Sequence, residues 1–271
     1  MIDKLEDWLS KQGYPTEMAV AQALVQQDFD VITSDYYTDP NEKKMREIDV
    51  VATRATEVDQ DVLRLSWVIE CKSAKKYPWI LLSPTELVIK PEEQLAARPT
   101  SALARDVLRH MDKATDRSNA HEIFMPLEPL GASLVPAFTN SDSAFTALCS
   151  CVKASDYRIQ RANESLSAFM SSWLIGEIAF PTIVIEGKLF HAWFSEKGEV
   201  QIAEIESGTV VWRNEAFGIP RILVSVYTLS HFRRIVAQLA NSADRFLDKT
   251  SSVITSTLRS WRARSLQQLN V

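Results

Sequence analysis

An α/β fold built on a mixed central sheet is what this 271-residue sequence predicts, and three observations predict it. A helical stretch near the N-terminus is followed by three strand-like runs. One of them, Trp67-Val68-Ile69, is apolar at consecutive positions, as in a strand covered on both faces. A long helical period over about 142–174 then leads into the apolar run 180–185. The order helix, strand, strand, strand, helix, strand predicts one elaborated domain over 1–271. Its core is expected over about 14–82 and 142–190, with a helical and loop insertion at about 85–135 and extra C-terminal strands and helices at about 191–271.

The elements follow from local pattern. Ile2, Leu5, Trp8 and Leu9 recur at helical spacing. Gly13-Tyr14-Pro15-Thr16 stops that helix and starts a second, with Pro15 suited to a first turn. The second helix runs through Met18, Ala21 and Leu24 to about Gln27. Residues 29–33, 48–52 and 63–71 read as strands, and Asp35 to Arg46 as a polar loop or hairpin end. Residues 77–82 are expected to leave the sheet, and Pro91, Pro99, Pro126, Pro129 and Pro136 divide the insertion into short pieces. Beyond the strand 180–185, Glu186-Gly187 reads as a turn leading into 189–194. Lys197-Gly198 and Ser207-Gly208 mark hairpin turns that carry strands near 199–205 and 209–213. A last strand over 221–227 precedes a helix from about Ser230 to Leu247 and a polar amphipathic tail.

Composition narrows the function classes. Hydrophobic residues make up 46% and charged residues 24%, and 7 glycines and 11 prolines fit neither a fibrous nor a disordered chain. No apolar run approaches the roughly 18 residues of a membrane span. The acidic, amphipathic stretch from Met1 to Asp7 does not read as a secretory signal. Cys71, Cys149 and Cys151 make no disulfide framework, so a reducing, cytoplasmic setting is expected. Cys149 and Cys151 lack a second ligand pair, and His110, His121, His191 and His231 are scattered, which speaks against zinc. Net charge is −5 but uneven: residues 1–60 hold 13 acids against 6 bases, whereas residues 231–271 hold 7 bases against 2 acids. The basic stretch reads first as a solvated helix face and second as a polyanion contact.

Chemistry concentrates in four residues inside otherwise apolar elements. Glu70 and Lys72 lie two apart on the third strand and so share a face, with Cys71 on the other. Asp49 leads the second strand, and antiparallel pairing brings it near Glu70. Two close carboxylates repel unless they share a proton or a hard cation, and oxygen ligation suits Mg²⁺ or Mn²⁺. Lys72 on the same face can orient or deprotonate a water and offset charge on a phosphate. Glu17 falls on the apolar face of the second helix, a position equally suited to an acid complementing the helix dipole. Glu47 is a competing acid, expected to point away from the neighbours of Asp49. A buried Glu70–Lys72 ion pair without catalysis is the structural alternative.

Glu17 on an early helix, Arg46-Glu47-Ile48-Asp49 leading a strand, and Val68-Ile69-Glu70-Cys71-Lys72 ending the next resemble the restriction-endonuclease-like (PD-(D/E)XK) nucleases. Ile48 stands where the motif name has proline. The resemblance covers roughly residues 14–73, with 142–174 and 181–186 as completions. It implies an αβββαβ core and Mg²⁺-dependent cleavage of nucleic acid, and DNA is the expected substrate. It further implies that Asp49, Glu70 and the Cys71 carbonyl hold the metal, with Lys72 catalytic and Glu17 an auxiliary acid. A nuclease fold acting only as a nucleic-acid-binding or sensor module is the alternative.

Overall fold

The computed structural model describes residues 1–10, 13–83, 87–114, 122–167, 173–214 and 219–269. Among them it holds six α-helices and nine strands in a single mixed sheet, so the chain is an α/β protein. The opening helices are α1 (Ile2–Ser10) and α2 (Tyr14–Val25), followed by β1 (Asp30–Thr38), β2 (Met45–Val58) and β3 (Asp61–Ser83). Next come α3 (Pro91–Ala96), α4 (Ala102–Ala114), a short 3-10 turn (Glu122–Phe124), β4 (Leu130–Gly131) and β5 (Ser133–Pro136). The chain continues through α5 (Ser143–Ser167), β6 (Ile175–Phe194), β7 (Val200–Ile205), β8 (Ser207–Asn214), β9 (Ile219–Thr228) and α6 (Leu229–Leu269).

The sheet runs β1-β2-β3-β6-β9-β8-β4, with β5 added to β3 and β7 to β6. Neighbours β1, β2 and β3 are antiparallel, whereas β6 is parallel to both β3 and β9. Strands β3 and β6 are long enough to serve both ends of the sheet. β3 is flanked by β2 along its first part and by β5 near its end, and β6 by β9 at its middle and by β7 near its end. One face packs Val20, Ala23 and Leu24 of α2, with Leu103 and Val107 of α4 and Phe232 and Phe246 of α6, against Trp67 and Ile69. The other face packs Ala144, Ala147, Leu148 and Cys151 of α5 against Val51, Val68 and Ile183. Coverage on both sides explains the continuous apolar run of β3.

Several elements differ from the sequence expectation for identifiable reasons. Residues 79–82 do not leave the sheet. Pairing of β3 with β6 breaks after Ala74↔Gly187 and resumes at Trp79↔Leu189, so residues 75–78 form a bulge. Pro78, which has no N–H to donate, falls inside it, and beyond it Trp79 and Leu81 are again buried. Gly187 lies opposite, and likewise the expected turn there is continuous strand. Residues 35–38 and 45–46, expected as loop, extend the β1–β2 ladder to Thr38↔Met45. The insertion is not only helix and loop, since β4 pairs with β8 and β5 with β3. Ser207-Gly208 opens β8 rather than turning a hairpin, because β7 pairs with β6 and β8 with β9.

The final helix does not stop near Leu247. Phe246, Thr250, Ile254 and Leu258 continue its buried stripe at helical spacing. Several of its basic residues meet acids of other elements: Arg234 meets Glu206 at 2.6 Å, Arg245 Glu122 at 2.8 Å and Arg259 Asp59 at 3.5 Å. Arg262 also reaches Asp61, its Nε donating to Oδ2 at 3.1 Å. Among the described residues no helix is long and apolar enough to cross a membrane.

At Gly187 the backbone approach is close: φ is +157° and an added Cβ would lie 2.4 Å from the Ala74 carbonyl oxygen. Gly187→Ala is expected to destabilise the protein by about 1–3 kcal/mol, read from urea unfolding. An unchanged midpoint would show that this approach does not constrain the fold.

Candidate active site

The β2–β3 ladder pairs Val58↔Asp61 through to Val50↔Ile69 and stops there. Continuing the register by one residue sets Asp49 opposite Glu70. Instead of a backbone partner, the Cys71 N–H donates to Asp49 Oδ2 at 2.6 Å. A strand residue's N–H and C=O point toward the same neighbour, so the Cys71 carbonyl faces the same gap. Asp49 therefore sits in the plane of the sheet, where β2 parts from β3.

What turns Asp49 into that position lies on β1. The β1–β2 ladder runs from Asp30↔Thr53 to Thr33↔Val50, skips Ser34 and Asp49, and resumes at Asp35↔Ile48. Ser34 has φ +54°, in the left-handed region. Val50 and Ala52 belong to the core under α2, α4 and α6, whereas Ile48 and Tyr37 belong to the core under α5. Residues two apart on a regular strand share a face, so alternation breaks at Asp49. The hairpin tip beyond it is anchored to α5, where Lys153 Nζ donates to the buried Asp39 Oδ2 at 2.7 Å.

Glu70 and Lys72 project to the α5 face, as period two predicts, and Lys72 Nζ lies 2.5 Å from Glu70 Oε1. Glu70 is 5% exposed, and its second oxygen, Oε2, is enclosed without a hydrogen-bond partner. Burial pushes the Glu70 carboxyl up to about 7, against the pull of Lys72 and with help from Asp49. Asp49 is also raised by burial, although Lys72 and the Cys71 N–H oppose it. Burial works against the Lys72 ammonium, yet Glu70 and Asp49 hold its pKa above the ordinary value. Cys71 is buried with Trp67 and Ile69 on the opposite face, its thiol pushed well up by burial, so it is no nucleophile.

Glu17 is half-buried in the first turn of α2. Its carboxyl is raised by burial and then by the charges of Asp49 and Glu47, with Lys72 opposing, which places it in the same electrostatic group. The turn that carries it is tied to β6, because Thr16 Oγ1 donates to Glu186 Oε2 at 2.8 Å. Glu186 also takes Lys75 of the bulge at 2.9 Å. The four residues singled out in the sequence are thus gathered at one end of β2 and β3.

Two acids were underrated from sequence. Glu47, expected to point away, is near enough for its charge to raise both Asp49 and Glu17. Its spacing of two from Asp49 was the available signal. Glu186 lies in continuous strand rather than in the expected turn, and an acid closing the apolar run 180–185 is the sequence signal for its contacts with Thr16 and Lys75.

The donor set fits a hard cation in one respect and is sparse in another. Glu70 Oε2 lacks a partner, and Asp49 and the Cys71 carbonyl face the same gap. Among the described residues no group of three or more His, Cys, Asp or Glu side chains is arranged to hold a metal. Mg²⁺ needs fewer, taking one or two carboxylates and completing its shell with water and phosphate oxygens. No family model, curated protein or solved structure matches this chain.

Asp39, which anchors the hairpin, also receives the N–H groups of Asn41 at 2.9 Å and Glu42 at 3.2 Å. Burial alone would raise its pKa, but Lys153 and these donors hold it at about 2. A depressed folded pKa stabilises above the unfolded value and is lost as pH falls through the folded one. Asp39→Asn is therefore expected to flatten the loss of stability between roughly pH 4 and pH 2, measured by urea unfolding across that range. An unaltered slope would remove the Asp39 carboxylate from this anchor.

Proposed function

We propose that the chain is a Mg²⁺-dependent nuclease that hydrolyses phosphodiester bonds of DNA on a restriction-endonuclease-like core. The observation that carries this reading is the meeting of Asp49 and Glu70 where β2 and β3 part, with Lys72 and Glu17 alongside. The order α2-β1-β2-β3-α5-β6, with β6 parallel to β3, supports the αβββαβ arrangement. Asp49, Glu70 and the Cys71 carbonyl would hold the cation, which when bound supplies Lewis-acid polarisation of a phosphoryl oxygen. Lys72 offsets charge on the phosphate and orients the attacking water, and Glu17 supports that water from α2.

Placement of cations fits a polyanionic substrate despite the net charge of −5. Past Asp49, β2 leads back to Arg46, Lys44 and Lys43 at the hairpin, and past Lys72, β3 leads to Lys75 and Lys76 in its bulge. All five are exposed; Arg46 lies on β2 and Lys75 and Lys76 on β3, with Lys43 and Lys44 in the hairpin loop. Ion pairs with Glu42 and Glu186 hold Lys44, Arg46 and Lys75 in the absence of a substrate. Phosphate contacts of this kind give salt-dependent, sequence-independent binding.

Incubation with plasmid and linear DNA in Mg²⁺ or Mn²⁺ tests the proposal. Wild-type cleavage is expected to fall at least ~100-fold in Asp49→Ala and in Lys72→Ala. Cleavage unchanged in both variants would sink it.

A second reading, a nucleic-acid-binding module without turnover, has its own support. Lys72 already satisfies Glu70 Oε1, and the Cys71 N–H already satisfies Asp49 Oδ2. Calorimetry separates the readings. Heat of Mg²⁺ binding that disappears in Asp49→Ala supports the nuclease, whereas salt-dependent DNA binding with no metal heat supports the silent module.

A further inference from the structure

Residues 97–101 are stitched by backbone hydrogen bonds to both β6 and β9. The Leu223 N–H donates to Ala97 O at 3.2 Å, Ala179 N–H to Pro99 O at 2.9 Å and Ser101 N–H to Glu177 O at 2.9 Å. These bonds fix the backbone on both sides of Arg98, whose side chain is 3% exposed. Its guanidinium donates to Leu223 O at 3.0 Å and Phe124 O at 3.4 Å, and lies 5.3 Å from the centre of the Phe180 ring. The enclosed Nε has no partner, and among the described residues no carboxylate pairs with Arg98. Burial lowers its pKa only to about 10, so the charge persists at neutral pH. A buried cation answered by carbonyls and a ring alone is costly to keep.

Arg98 also lines a cavity of about 280 Å³ beneath α6. Ile123, Leu127 and Leu239 give it apolar walls, and Tyr227 and His231 add polar groups. The Tyr227 phenol is pushed up to about 12 by burial and stays neutral, able to donate. Glu122, also in the lining, is already engaged by Arg245 at 2.8 Å and does not neutralise Arg98. Apolar walls with a few convergent polar groups are the general form of a small-molecule site.

We infer that this cavity binds a small organic anion, its carboxylate or phosphate monoester set toward Arg98 and its apolar body against Ile123, Leu127 and Leu239. The site stands apart from Asp49 and Glu70, and the inference holds whether or not that site turns over. The ligand supplies the negative charge that the protein leaves out. Pre-fixing of Arg98 by its backbone bonds means that little ordering is needed on binding.

Calorimetry on the full chain in EDTA, with benzoate, phenyl phosphate and neutral benzamide as probes, tests the inference. EDTA removes any metal-held phosphate at Asp49 and Glu70. At least one anion is expected to bind about 10-fold or more tightly than benzamide, and which one does identifies the preferred acid group. Arg98→Gln is expected to abolish that preference. Should Arg98→Gln fail to fold, Gln238→Trp carries the test. Gln238 is an exposed residue of the cavity lining, and a bulky ring there is expected to weaken anion binding. Affinities equal for all three probes, no measurable anion binding, or binding that survives the substitution of a folded variant would overturn the inference.

Discussion

Beyond Val50 and Ile69, β2 leaves β3 with a backbone N–H over, and the Asp49 carboxylate takes it. Buried backbone groups must be paired, so strands can part inside a sheet only where something replaces the ladder. Here a side chain does so, and it is an acid. That single bond lets a gap open between two adjacent strands without stranding a donor. It also holds a carboxylate in the sheet plane, beside Glu70 and within the field of Glu17. Ser34, in the left-handed region on β1, makes it possible by turning the outer half of the hairpin toward α5.

Local pattern carries some of this and not the rest. Period two is enough to put Glu70 and Lys72 on one face and Cys71 on the other, because β3 is regular there. The strand cores 48–52, 63–71 and 180–185 are visible because burial on both faces demands continuous apolar side chains. Strand ends are a different matter. Residues 75–78 carry Lys75, Lys76 and Pro78, which read as a stop, yet tertiary pairing with β5 and β6 recovers the strand at Trp79. The in-plane position of Asp49 was not legible, since it follows from the backbone angle of a serine that carries no pattern. Glu186 was hidden by its glycine neighbour, whose role is close approach to Ala74 rather than a turn.

Buried charge is treated in contrasting ways at Glu70 and at Arg98. At Glu70 the protein supplies a counter-ion but leaves one carboxylate oxygen unpartnered. At Arg98 it supplies carbonyl oxygens and an aromatic ring but no acid. Lys153 with Asp39 and Arg158 with Glu177, at 2.7 Å each, are by contrast buried pairs with direct contact, although Arg54 Nε is also enclosed without a partner.

The parallel ladder between β3 and β6 joins Val62 to Ile175 and Ser83 to Trp193, positions more than a hundred residues apart in the chain. Much of the loop-closure entropy must be lost before that ladder returns any contact energy. Chains dominated by such distant pairings reach the native state over roughly milliseconds to seconds, not microseconds. During that interval the apolar strand halves lie uncovered. Until β6 arrives, the strand that carries Glu70 and Lys72 is an open edge, and newly made protein is most prone to aggregate there.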